Sequence, residues 1–180
     1  MFKRRLAGTF SAVTAVLALV FPQLSSAEVV DAQASGFTTR HSLTISRSRA
    51  DVYRASVGKI GSWWSDDHTV SGRAANMYLE AEPQGCFCER LGENAGVVHM
   101  TVTFVNPTVM LRLSGGLGPL GLMGVNGNMT WEFADGEQGT NLTWSYAVGG
   151  YFPGGLEQMA GAVDAVLIEQ MTRLKEFLEE

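Results

Sequence analysis

From Phe37 to Val148 the chain is a succession of short segments in which apolar and polar residues alternate. One long amphipathic stretch then runs from about Gly155 to the C-terminus. Segments of period two, joined by glycine turns, make an antiparallel sheet with one buried face. A single long helix is all that remains to cover that face. A chain of this kind folds into a container, and the question becomes what the container holds.

The first strand spans Phe37 to Ser46, with Phe37, Thr39, His41, Leu43 and Ile45 on one side. Ser48 caps a helix, and Asp51 three residues on completes a capping box. This helix offers Val52, Tyr53 and Val57 to the core and stops at Gly58. A second short turn, Lys59 to Trp64, ends in the pair Trp63-Trp64. Six strands follow. One runs from Cys86 to Leu91, with Phe87, Glu89 and Leu91 on one face and Arg90 on the other. The alternating apolar sets of the rest are Met77/Leu79/Ala81, Val98/Met100/Val102/Phe104, Val109/Leu111/Leu113, Met129/Trp131/Phe133 and Leu142/Trp144/Tyr146/Val148. The last helix carries Leu156, Ala160, Val163, Leu167, Met171, Leu174 and Phe177/Leu178 on one stripe. Glu169 and Arg173 are placed to pair at i,i+4. At 1.5 Å per residue this helix is ~36 Å long, enough to cross a sheet. A curved sheet cannot close fully on one cylinder, so a cavity between them is expected.

The order of elements resembles that of the START-like or SRPBCC superfamily, the helix-grip fold shared with Bet v 1-like proteins and polyketide cyclases. The resemblance is carried by Val52-Tyr53, Gly61-Ser62-Trp63-Trp64-Ser65, Gly85-Cys86-Phe87-Cys88-Glu89 and Leu111-Arg112-Leu113 leading into Gly118-Pro119-Leu120. Trp131-Glu132-Phe133, Gly139-Thr140-Asn141-Leu142-Thr143 and the closing helix complete it. The branch it resembles is that of polyketide cyclases and chaperone activators. It implies an α+β helix-grip domain over residues 37–180, with about seven antiparallel strands wrapped around the C-terminal helix and two short helices after the first strand. It implies a pocket for a hydrophobic ligand and no shared catalytic residues; no cofactor is expected.

Lys3, Arg4 and Arg5 precede the uncharged apolar stretch Leu6 to Phe21, and Ser25-Ser26-Ala27 offers a small-residue cleavage site. Residues 1–27 read as a signal peptide, with Ala32-Gln33-Ala34 as a later cleavage site. Residues 28–36 are then a disordered leader, and the mature protein is periplasmic or secreted. An uncleaved anchor and twin-arginine export are alternatives. Without those three cations the formal net charge of −5 becomes −8, which argues against nucleic acid and anionic membranes as partners.

Cys86 and Cys88 are the only cysteines. On a regular strand, residues i and i+2 lie ~6.5–7 Å apart. That is at or beyond the long end of disulfide geometry, so two packed thiols are expected. An internal bridge would require a bulge, and metal binding, an intermolecular bridge or a strained regulatory disulfide are the alternatives.

The pocket candidates are His41, Trp64, Phe87, Glu89, Met100, Leu111, Leu113, Trp131, Phe133, Trp144, Tyr146, Val163 and Leu167. His41 and Glu89 are polar groups on apolar faces. Each is either an acid, base or ligand anchor, or a satisfied core group; a hydrogen bond between the two is one way to satisfy both. His99 alternates outward with Thr101 and Thr103. Asp66-Asp67-His68 invites a metal reading but lacks further ligands at fixed spacing, and no metal is expected. Gly116-x-Gly118-x-x-Gly121 matches a dinucleotide fingerprint literally. Pro119 within it and the strand that follows leave no helix N-terminus for a pyrophosphate. Gly115 to Gly127 is better read as a glycine-rich connection at a pocket mouth, or as a plain long loop. Three functions remain: an exported binder of a small hydrophobic molecule such as a lipid or polyketide-like compound, a cyclase, dehydratase or hydrolase using Glu89 or His41, and a protein-interaction module.

Overall fold

The alternating segments form one antiparallel sheet in a computed structural model, which describes residues 27–180. The strands are β1 (Ala27–Gln33), β2 (Gly36–Ile45), β3 (Met77–Leu79), β4 (Cys86–Gly92), β5 (Ala95–Asn106), β6 (Met110–Ser114), β7 (Gly124–Gly136) and β8 (Gly139–Tyr151). Their order across the sheet is β1-β2-β8-β7-β6-β5-β4-β3. Helices α1 (Arg49–Gly58) and α2 (Ile60–Trp63) follow β2, and α3 (Glu157–Glu179) closes the chain.

The sheet thus has eight strands rather than seven. The added strand is β1, where the sequence reading had a disordered leader over 28–36. Period two is hard to see there because a bulge falls between Val29 and Asp31. Val29 and Ala32 nevertheless pack against the core, and the ladder with β2 closes from Gln33 opposite Gly36. The expected signal segment lies outside the described residues apart from Ala27. No described helix is long and apolar enough to cross a membrane.

The Ser48 cap forms as expected, its hydroxyl accepting from the Asp51 amide. Val52 and Tyr53 are buried, and Tyr53 meets Phe133 edge-on at 5.4 Å. Trp131 and Trp144 stack at 4.4 Å with their planes 7° apart, and Trp63 follows at 6.2 Å from Trp144. This column of indoles fills the centre of the concave face.

Helix α3 is tied to one side of the sheet. The Leu156 amide donates to Ala34 O, Lys175 Nζ to Thr44 O, and the Ser46 amide to Glu179 Oε1. The expected Glu169–Arg173 pair does not form. Arg173 donates instead to the carbonyls of Trp63 and Trp64, and Glu169 meets His68 at 3.0 Å, so both charges brace the helix against the α2 region. Eight strands spaced by about 4.8 Å make a sheet roughly 34 Å wide. A helix ~10 Å across, docked over β1 and β2, cannot cover the β3–β5 side.

Two bulges in β5 break the alternation. The first skips His99 between the pairs Phe87–Met100 and Cys88–Val98, and the second skips Thr103. Two neighbouring residues then share a face. His99, expected outward, is buried beside Met100, while Val98 and Phe104, expected inward, are exposed. The first bulge also corrects the cysteine reading. Cys86 and Cys88 form a disulfide, with Cα atoms 5.4 Å apart, at the place where the ladder departs from regular extension.

Candidate functional site

The side of the sheet that α3 leaves open holds a cavity of about 550 Å³. Its walls are Met159, Val163, Val166 and Leu167 of α3, Trp64 at the end of α2, Met77 of β3, Val97 to His99 of β5, residues 67–70, and the connection 116–122 between β6 and β7. Most of this lining is apolar. Val70, Val98 and Leu122 stand around the opening with 61%, 65% and 92% of their surface exposed, so the apolar character continues out to the rim.

Of the thirteen candidates, Trp64, Val163 and Leu167 line the cavity. Phe87, Met100, Leu111, Leu113, Trp131, Phe133 and Trp144 are buried in the core behind it. His41, Glu89 and Tyr146 are fully buried polar groups that do not line it. The residues that sequence reasoning missed are Met159, Val166 and Val97, and above all His99.

Glu89 and His41 do not bond each other, because they lie on distant strands, and each has its own partner. Glu89 on β4 accepts from the amides of Val70 at 2.9 Å and Ser71 at 2.5 Å, and sits 3.1 Å from His99 Nε2. Burial pushes its carboxyl up, yet the hydrogen bonds from Ser71, Val70 and His99 outweigh burial and hold it below the ordinary carboxylate value. Glu89 therefore stays ionised. It pins the 67–71 loop on one side and the His99 ring on the other. The ring packs on Phe87 at 5.7 Å, and Phe87 meets Trp64 at 5.3 Å.

His41 Nε2 lies 2.9 Å from Asp164 Oδ1 of α3, but the groups are not aligned for a hydrogen bond. Thr39 Oγ1 and the indole nitrogens of Trp131 and Trp144 also lack partners. Burial holds the His41 ring below the ordinary histidine value, and Asp164 pulls it the other way.

Tyr146 anchors the glycine-rich connection. Its hydroxyl accepts from the Leu117 amide at 3.0 Å and donates to Gly115 O at 2.9 Å. Burial pushes its pKa up to about 12, against a small opposing effect of the Leu117 bond. The glycines serve this packing. A Cβ at Gly127 would strike the Tyr146 ring at 2.5 Å, and one at Gly116 would meet Leu120 and Gly121 backbone at 2.6 Å. The connection folds into a 3₁₀ turn over Gly118–Leu122. It offers no nucleotide-binding helix.

The side chains of Asp66-Asp67-His68 diverge. Asp66 Oδ1 accepts from the Ala74 amide, His68 meets Glu169, and Asp67 is exposed. Among the described residues no three potential ligands come together for a metal.

No family model and no curated protein matches this chain. Solved structures do. A protein from Rhizobium leguminosarum aligns with a TM-score of 0.61 at 16% identity, over 82% of this chain and 97% of that one. DynU16, from the dynemicin biosynthetic locus, aligns at 0.53 and 16%, over 79% and 47%. CalU16 from Micromonospora echinospora aligns at 0.50 and 15%, over 79% and 74%. At such identities the likeness is one of fold. The chain shares with these structures an α+β fold, an eight-stranded antiparallel curved sheet with a C-terminal helix, compatible with the helix-grip arrangement.

Proposed function

We propose that this chain binds a small hydrophobic molecule in the cavity between α3 and the sheet. The observation that carries the reading is an apolar cavity of about 550 Å³ opening through a rim of exposed Val70, Val98 and Leu122. Volumes of this order suit drug-sized ligands, whose binding rests on burial of apolar surface. CalU16 and DynU16 share the fold, and DynU16 belongs to a biosynthetic locus, so polyketide-like molecules fall within the range of ligands alongside lipids. The basic start and apolar stretch of residues 3–21 support binding outside the cytoplasm, periplasmic or secreted, by a protein with no membrane anchor once cleaved. The acidic surface disfavours nucleic acid.

Native mass spectrometry of the protein purified from its own host tests the reading. A retained apolar molecule, released on denaturation, is expected. A bare chain that also takes up no apolar probe contradicts it.

A second reading is catalysis on the bound molecule, and the His99–Glu89 pair at the cavity wall favours it. His41 stands away from the cavity, and Glu89 acts only through His99. Turnover in a panel of aromatase and cyclase substrates, lost in His99→Gln, would establish it.

A further inference from the structure

The polar groups of the cavity wall are nearly all committed to the protein itself. His68 Nε2 meets Glu169, His68 O takes the Trp64 indole, and Thr69 Oγ1 donates to Asp66 O. Asp67 is exposed to water. His99 is different. Its ring is buried, its residue lines the cavity, and only Nε2 has a protein partner.

The tautomer follows from that partner. An ionised carboxylate can only accept, so the proton between Glu89 and His99 sits on Nε2. In the neutral ring the lone pair is then on Nδ1. No described side chain or backbone group bonds to it.

We propose that the molecule held in this cavity is a neutral hydrophobe with one hydroxyl group, an alcohol or a phenol, whose hydroxyl donates to His99 Nδ1. The proposal rests on the cavity being a binding site and names the chemistry of its occupant. Nδ1 is not one of the fully buried unpartnered atoms, so it is reachable from the cavity, and a ligand that displaces water there without bringing a donor leaves it unpaired. Charge narrows the choice further. Glu89 stands ionised behind the ring, Asp67 lines the cavity and Glu169 bonds the lining residue His68, so a carboxylate ligand meets like charge while losing its hydration. A hydroxyl brings a donor without a charge.

Three probes of one ring size separate the possibilities: naphthalene, 1-naphthol and 1-naphthoate, each titrated calorimetrically into the wild-type protein. The expected order is 1-naphthol tighter than naphthalene by about fivefold, the worth of one net hydrogen bond, with 1-naphthoate weakest. The His99 Nδ1 resonance in a two-bond proton–nitrogen spectrum should move with 1-naphthol and stay nearly fixed with naphthalene. That measurement needs no variant. In His99→Leu the advantage of 1-naphthol should vanish while naphthalene still binds. Equal binding of 1-naphthol and naphthalene, or tightest binding of 1-naphthoate, overturns the hydroxyl proposal and leaves the cavity reading standing. Failure of all three probes to bind overturns both.

Discussion

His99 Nε2 lies 3.1 Å from Glu89 Oε2, and the pair exists because a bulge in β5 turns His99 onto the concave face. Glu89 also receives two backbone amides from the loop that forms part of the cavity wall. One carboxylate thus holds a strand, a loop and a ring together. Replacing it tests that linkage. Glu89→Gln keeps the size but turns an amide N–H toward one of three donors. We expect a loss of about 2 kcal/mol in urea unfolding, the cost of a buried unsatisfied donor. Amide exchange should quicken at Val70 and Ser71. Unchanged stability together with unchanged probe binding would remove Glu89 from the account.

Tyr146 is predicted to hold the cavity mouth. Tyr146→Phe removes a hydroxyl that both accepts from Leu117 and donates to Gly115. Hydrogen exchange at Leu117 should quicken at least severalfold, with a stability loss of about 1 kcal/mol. Exchange at 115–122 that matches wild type would mean the connection is held by its own turn instead.

Stability should fall in mild acid through His41. Burial holds the folded ring below the ordinary histidine value of 6.5. In the unfolded chain the ring takes up a proton near that value, while the folded ring refuses it until a lower pH. The unfolded state therefore binds more protons below 6.5, and stability declines as pH falls through that window. Unfolding midpoints at pH 7.5 and 5.5 should differ by more in wild type than in His41→Asn. Parallel pH profiles for the two proteins would contradict this assignment.

The disulfide is expected to contribute little. Cys86–Cys88 closes a loop of three residues, and chain-entropy reasoning gives about 1.6 kcal/mol for so short a loop. The double variant Cys86→Ser, Cys88→Ser should remain folded with a loss of no more than about 2 kcal/mol. Complete unfolding at 25 °C would show that the bridge also fixes the β4–β5 register.

The long-period features were legible in the sequence. The stripe from Leu156 to Leu174 and the alternation of β2, β6, β7 and β8 reflect simple repeats that tertiary contacts did not disturb. The direction of Glu89 was legible too, since Phe87 lies two residues away on the same face. What alternation cannot show is where it breaks. The β5 bulge, invisible in the residue types, reversed His99 and Val98, and the bulge in β1 concealed a strand. Partner choice was equally hidden. His41 and Glu89 both pointed inward, but only the strand order separates them and gives one Asp164 and the other His99. Most aromatic residues expected to line a pocket turned out to build the core, because α1 packs over β7 and β8 while α3 lies over β1 and β2, and the free space is left beside β5.

The central claim is that this free space is where an apolar molecule binds. Titration of Nile red, a neutral apolar dye, into wild type and into Val163→Trp tests it most directly. Val163 lines the cavity and is only half-buried, so an indole there fills the space without disturbing the core. The account predicts saturable one-to-one binding to wild type and its loss in Val163→Trp, with the circular dichroism spectrum and unfolding midpoint retained. Saturable binding of equal strength in both proteins, or none in either, would contradict it.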